Sequence, residues 1–306
     1  MGNQCVIYLG NGYDVALGYK TRYSQFIENS VFLQLENKCQ LADWIKQKYS
    51  EDKNRWCDLE ELLYEYSWYI YKRYNKSQEF INITDIFKED HRHLTLALQD
   101  YICNQNSSDG SGSVPLLEKS WKSYLDIKYI CCFNYTANAV LERLLPDYLL
   151  LDRIHGALTP HSKEKEVKIK LGIDRSMVVC NEHEFLYKDN MPTYAYGIWQ
   201  EPSKRLKAIS TDITRLPLSP TFSNVDVIII YGCSLGKSDT AYFKYLFDNA
   251  AEKRILLYHY GDKEKMKIAD RIREISKYPI DKIIFIDSSK DNGYIRDFPE
   301  LLKDGL

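Results

Sequence analysis

Short apolar runs that end in small or polar residues constrain this chain more than any other feature of it. They are Cys5–Leu9, Tyr129–Phe133, Leu149–Ile154, Val225–Tyr231, Arg254–Tyr260 and Lys282–Ile286. Each has the length of a strand, and continuous apolar character marks a strand buried on both faces. Helical patterns lie between several of them. Apolar strands alternating with helices predict an α/β protein with a doubly wound, mostly parallel, Rossmann-like sheet.

A helical block separates the first run from the second. Leu59, Leu62, Leu63, Tyr66 and Ile70 recur at three- and four-residue steps, which gives an amphipathic helix. Phe32–Tyr49 and His91–Cys103 also read as helices, and the polar Gly/Ser stretch 104–113 closes the block. The expected organisation is a nucleotide-binding α/β core from residues 1–28 and 114–306, with a helical insertion over 29–113. Within the core, residues 161–223 hold four of the nine prolines and little periodicity, an irregular insertion placed to cover a site.

Composition narrows the partners. With 41 Lys and Arg against 43 Asp and Glu the net charge is −2, so there is no bulk basic field to attract nucleic acid. No apolar run approaches the roughly 18 residues of a membrane span, and no signal peptide is legible at the N-terminus. The eight cysteines form no Cys-x-x-Cys pair, which excludes a zinc ribbon, and they read as buried free thiols of a cytoplasmic protein. His91 and His93 stand two apart without a Glu-x-x-His partner, so no metal site is expected. The 25 tyrosines fit either a wet-edged core or an adhesive surface. Oligomeric state stays open, a homo-oligomer included.

Ligands of open α/β sheets bind beyond the carboxyl ends of the strands, so the residues after each run are the ones to read. They are Gly10-Asn11-Gly12-Tyr13-Asp14 with Gly18, then Asn134-Tyr135-Thr136, then His155-Gly156, then Gly232-Cys233-Ser234-Leu235-Gly236 followed by Lys237-Ser238-Asp239. Glycines let a backbone approach phosphate closely, and helix N-termini supply N–H groups. Together these segments predict one nucleotide-type cleft. Each also has a plainer reading. Asp14 would cap a helix, Asn134 and Thr136 would be cap and turn residues, and His155 a structural histidine. Asp58, Glu60 and Glu61 read as a charged first turn placed well on a helix dipole. Gly232–Ser238 is similar to a P-loop, but that motif needs its first glycine where Tyr231 stands, which argues against an NTPase.

At these residues the chain resembles the AbiH family of bacteriophage abortive-infection proteins. Gly10-Asn-Gly-Tyr-Asp14, Gly18 and Lys20-Thr-Arg-Tyr-Ser-Gln-Phe26 match the family's opening. Trp56-Cys-Asp-Leu-Glu60, Phe133-Asn-Tyr-Thr136, Ile154-His-Gly156, Leu171-Gly-Ile-Asp174 and Gly232–Asp239 follow in its order. Cys233 stands where the family usually has His, and Leu141-Glu142 arrives late.

More distantly, the order of motifs resembles the sirtuin-type (DHS-like) NAD-binding fold, without its zinc module. That resemblance implies that Asn134 serves the ribose and nicotinamide end of NAD and that His155 is the general base. It further implies that Gly10, Asn11, Gly12, Asp14, Gly232, Ser234 and Asp239 hold the dinucleotide. Thr136 stands where sirtuins have Asp. The implied activity is hydrolysis of NAD rather than protein deacylation, in an anti-phage protein whose phage trigger no motif reveals. The alternatives are a nucleotide-binding sensor that acts through partners without turnover, and the P-loop-like NTPase.

Overall fold

The computed structural model describes residues 3–16, 18–51, 59–74, 80–104, 125–136, 150–153, 225–236, 239–250 and 253–289. Six apolar segments form strands: β1 (Asn3–Leu9), β2 (Leu125–Cys132), β3 (Leu150–Arg153), β4 (Val227–Tyr231), β5 (Arg254–His259) and β6 (Ile283–Asp287). They hydrogen-bond in the order β3-β2-β1-β4-β5-β6, and every neighbouring pair is parallel. The chain is thus α/β with an all-parallel sheet, and the strand order changes direction at β1, between β2 and β4.

Alternation along the strands sorts the side chains into two cores. Val6, Tyr8, Ile228, Ile230, Ile255 and Leu257 share one face with Phe243, Leu246 and Phe247 of α7 (Thr240–Asn249) and Ile268, Ile272 and Ile275 of α8 (Gly261–Ile275). Cys5, Ile7, Leu9, Val227, Ile229, Leu256 and Tyr258 point to the other face, where Tyr13 packs. A sheet buried on both sides explains why its strands read as unbroken apolar runs. In β2 the register slips between Cys5 and Val6 of β1, leaving Lys128 as an extra residue. This bulge keeps Leu125 and Ile127 on the face shared by Ile130 and Cys132, although the two pairs differ in parity.

The helical block comprises α2 (Tyr23–Ile27), α3 (Ser30–Leu33), α4 (Gln40–Glu51), α5 (Leu59–Tyr74) and α6 (Phe80–Cys103). It has its own core, in which Leu59, Leu62, Leu63 and Tyr66 of α5 meet Phe32, Leu41, Ile45, Leu94 and Leu98. Phe26 and Ile27 belong to that core, so the packing reaches back across the boundary expected after residue 28. The single helix expected over Phe32–Tyr49 is two helices. Asn37 between them sits at φ 60° and its N–H donates to Asp43 Oδ1 at 3.0 Å. Asparagine tolerates that left-handed backbone, and the local hydrogen bond ends one helix and prepares the next.

The tyrosines Tyr8, Tyr13, Tyr66, Tyr101, Tyr129, Tyr231, Tyr242, Tyr258 and Tyr278 are buried, while Tyr69 and Tyr260 are exposed. Among the described residues tyrosine is therefore mostly a core residue. The described cysteines are free thiols, buried except for the partly exposed Cys103. No helix among the described residues is long and apolar enough to cross a membrane. Residues 105–113 of the Gly/Ser stretch, and 161–223, lie outside the described residues.

Candidate functional site

The carboxyl ends of β1, β2 and β4 finish level. Leu9 pairs with Cys132 on one side and with Tyr231 on the other. Beyond β1 the chain passes through Gly10 into α1 (Asn11–Ala16). Three glycines let this happen. Gly10 N–H donates to the Tyr231 carbonyl and Gly12 N–H to the Gly232 carbonyl, each at 2.9 Å. A Cβ on Gly10 would stand 2.4 Å from the Gly232 oxygen, and one on Gly12 would stand 2.6 Å from the Gly232 Cα. Gly232 has φ 65°, and its Cβ would lie 2.5 Å from the Tyr13 nitrogen. The Gly10 and Gly12 N–H groups are engaged by the carbonyls of Tyr231, which ends β4, and of Gly232 just past it, and the glycines allow the close approach of the two segments.

Asp14 lies inside α1 and does not cap it. It is 1% exposed, and its two carboxylate oxygens are taken by residues just past β2. Asn134 Nδ2 donates to Oδ1 at 3.0 Å and the Thr136 hydroxyl donates to Oδ2 at 2.5 Å. Burial pushes the Asp14 carboxyl up to about 7, against the two hydrogen bonds that favour its ionised form. Asn134 is itself buried, and its Oδ1 has no hydrogen-bond partner among the described residues. Asn134 and Thr136 are thus not turn caps, because both side chains point their polar atoms at one carboxylate 120 or more positions away.

The helical block meets the sheet edge at a second polar cluster. Glu60, at the start of α5, is 4% exposed and accepts hydrogen bonds from Tyr135 Oη at 2.7 Å and from Tyr23 Oη at 2.9 Å. Glu60 stands in the first turn of α5, as its sequence position predicts, and the structure adds that it is buried there. A buried carboxylate needs donors, and two phenols supply them. Burial, with Glu60 beside it, raises the Tyr135 hydroxyl well above the usual phenol range. Tyr23, Glu60 and Tyr135 were not singled out as site residues, yet all three fall inside the quoted motifs. Their spacing gives no signal of the contact, because it joins α2, α5 and the end of β2. Asn11 acts nearby as a brace: its amide donates to the Thr21 carbonyl at 3.1 Å and accepts from the Thr21 hydroxyl.

After β4, Ser234 is exposed on the same edge, and Leu235 turns inward at φ 53° to fill the core. Cys233, the residue in the usual histidine position, is buried and points its thiol at the carbonyls of Tyr8 and Tyr231. Burial holds that thiol well above its ordinary range, so it packs and does not react. Asp239 stands at the N-cap of α7 with no side-chain capping bond. His155, Gly156, Lys237 and Ser238 lie outside the described residues, although β3 runs to Arg153, level with Cys132. Gly10, Gly12, Asp14, Asn134, Thr136 and Gly232 therefore share one edge of the sheet. No group of three or more potential metal ligands occurs among the described residues.

These features define an α/β protein with a parallel sheet and a polar site at its carboxyl edge, walled by a helical block. The chain belongs to the AbiH family: the model described as bacteriophage abortive infection AbiH matches residues 6–260. Its function accordingly lies in phage abortive infection. No curated protein and no solved structure matches the chain significantly.

Proposed function

We propose that this protein binds NAD as its substrate and hydrolyses the nicotinamide–ribose bond, yielding nicotinamide and ADP-ribose, as its contribution to abortive infection. The observation that carries this reading is the buried Asn134–Asp14–Thr136 cluster, set where the strand order changes direction. Doubly wound sheets of the order 3-2-1-4-5-6 bind dinucleotides at that switch point. The packed turns at Gly10, Gly12 and Gly232 would form the floor of such a site. Asn11, Ser234 and Asp239 would line its phosphate and adenosine side, and Asn134, held by Asp14, its nicotinamide–ribose side. The likeness of the motif order to sirtuins supports the same placement.

Departure of nicotinamide leaves an oxocarbenium-like ribose, as in glycoside cleavage. Asn134 would orient the ribose or the incoming water, and His155 would take the proton from that water, its ordinary pKa of about 6.5 suiting the task near neutrality. Thr136, where sirtuins carry a carboxylate, favours a second reading of the site as a sensor that binds without turnover. Against that, Asp14 supplies a carboxylate to the same asparagine from another segment.

The two readings separate on His155→Ala. A general base contributes about 10²–10⁴-fold to rate, whereas ground-state binding depends on it little. Incubated with NAD, the purified parent should release nicotinamide. The variant should bind NAD within about tenfold of the parent, release almost none and no longer protect cells from phage. A folded variant that still protects favours the sensor.

A further inference from the structure

We infer that Asp14 is a positioning residue: by accepting the Nδ2–H of Asn134 it decides which end of that amide faces a ligand. The site beside β2 then takes a hydrogen-bond donor, a ribose hydroxyl or a water, in preference to a phosphate oxygen. This rests on reading the site as one for a dinucleotide and adds to that reading the polarity of its ribose end.

An asparagine offers two donors at Nδ2 and an acceptor at Oδ1, and its neighbours determine which way round the amide stands. An ionised carboxylate only accepts. Above about pH 7, where Asp14 is ionised, the amide atom 3.0 Å from its Oδ1 is therefore the nitrogen, and the Thr136 hydroxyl occupies the other carboxylate oxygen. Asp14 is 1% exposed and has both oxygens engaged, so it acts through Asn134. What is left is Asn134 Oδ1, buried and without a partner among the described residues. A buried acceptor with no donor is unfavourable, and a donor arriving there relieves it. A phosphate oxygen brings no donor and would face an acceptor backed by a carboxylate. Ribose hydroxyls and water both donate.

The test compares ADP-ribose with ADP, which lacks the second ribose, by calorimetry on the full chain at pH 8, above the Asp14 value of about 7. The parent should bind ADP-ribose about tenfold or more tighter than ADP. In Asp14→Asn the new carboxamide can donate to Asn134 Oδ1, turning the Asn134 amide round so that a donor faces the ligand. The ADP-ribose margin should then fall to about twofold or less while ADP affinity changes little. Thr136→Val, a milder change that loosens Asp14, should lower the margin by about two- to threefold and serves if Asp14→Asn does not fold. Adding Asp14→Asn to Asn134→Ala should cost no further margin, whereas a merely structural role would weaken both ligands in either background. A margin that survives Asp14→Asn or Thr136→Val, additive losses in the double variant, or a parent that binds ADP-ribose no tighter than ADP each overturn the inference alone. A parent that binds neither ligand overturns the dinucleotide reading and this inference with it.

Discussion

Asp14 holds two opposing demands in one side chain: the hydrogen bonds from Asn134 and Thr136 favour its charge, and burial disfavours it more. Its folded-state pKa of about 7 lies above the roughly 3.9 of an unfolded aspartate. The folded chain therefore holds a proton that the unfolded chain has lost across that window. The stability involved is fully present below about pH 4 and is lost as pH rises to about 7, on the order of 4 kcal/mol in all. Asp14→Asn cannot ionise and escapes this loss. Chemical denaturation should find the variant gaining on the parent from about pH 4 to 7 and level above it. A parallel pair of stability profiles would contradict the burial argument. The glycines make a separate prediction. Gly12→Ala drives a methyl against the Gly232 backbone and should cost at least about 2 kcal/mol in urea denaturation. Gly18→Ala, at φ 86° with nothing within 4 Å, should cost only about 1 kcal/mol. Equal losses would mean that close approach is not what these glycines serve. The sequence placed Gly10, Gly12 and Gly232 correctly at strand ends, but their purpose was not legible there. A glycine that approaches a phosphate and one that approaches another turn leave the same mark.

At the scale of elements, the hydroxyls of Tyr23 and Tyr135 tie the helical block to the sheet edge through Glu60. Removing one donor leaves the carboxylate its other, so Tyr135→Phe should destabilise by about 1–2 kcal/mol. Combining it with Tyr23→Phe should cost more than the two single losses together, since Glu60 is then buried without either phenol. Strict additivity in urea denaturation would show that Glu60 is satisfied elsewhere. Strands were readable because burial on both faces removes polar alternation, and α5 because its apolar spacing is helical. The break at Asn37 was not readable, since Phe32–Tyr49 keeps helical character on both sides of it and the interruption is made by one residue's φ. The Glu60 contact joins segments 37 and 75 residues apart, which no local pattern records.

For the whole molecule, a parallel sheet with its strand ends gathered beside a helical block brings together the described motif residues from Gly10 to Gly232. AbiH membership sets the biological context, phage abortive infection, and the proposed chemistry gives it a means, depletion of a metabolite on which both cell and phage depend. That edge location was predictable from the order of strands and motifs. The pairing of Asp14 with Asn134 was not, because register and crossing distance decide it. The most direct test is to measure NAD and nicotinamide by chromatography in infected cells that carry either the parent chain or His155→Ala. With the parent, NAD should fall and nicotinamide should rise after infection, and with His155→Ala neither should change. Protection by the parent with NAD levels unaltered would contradict cleavage of NAD as the mechanism.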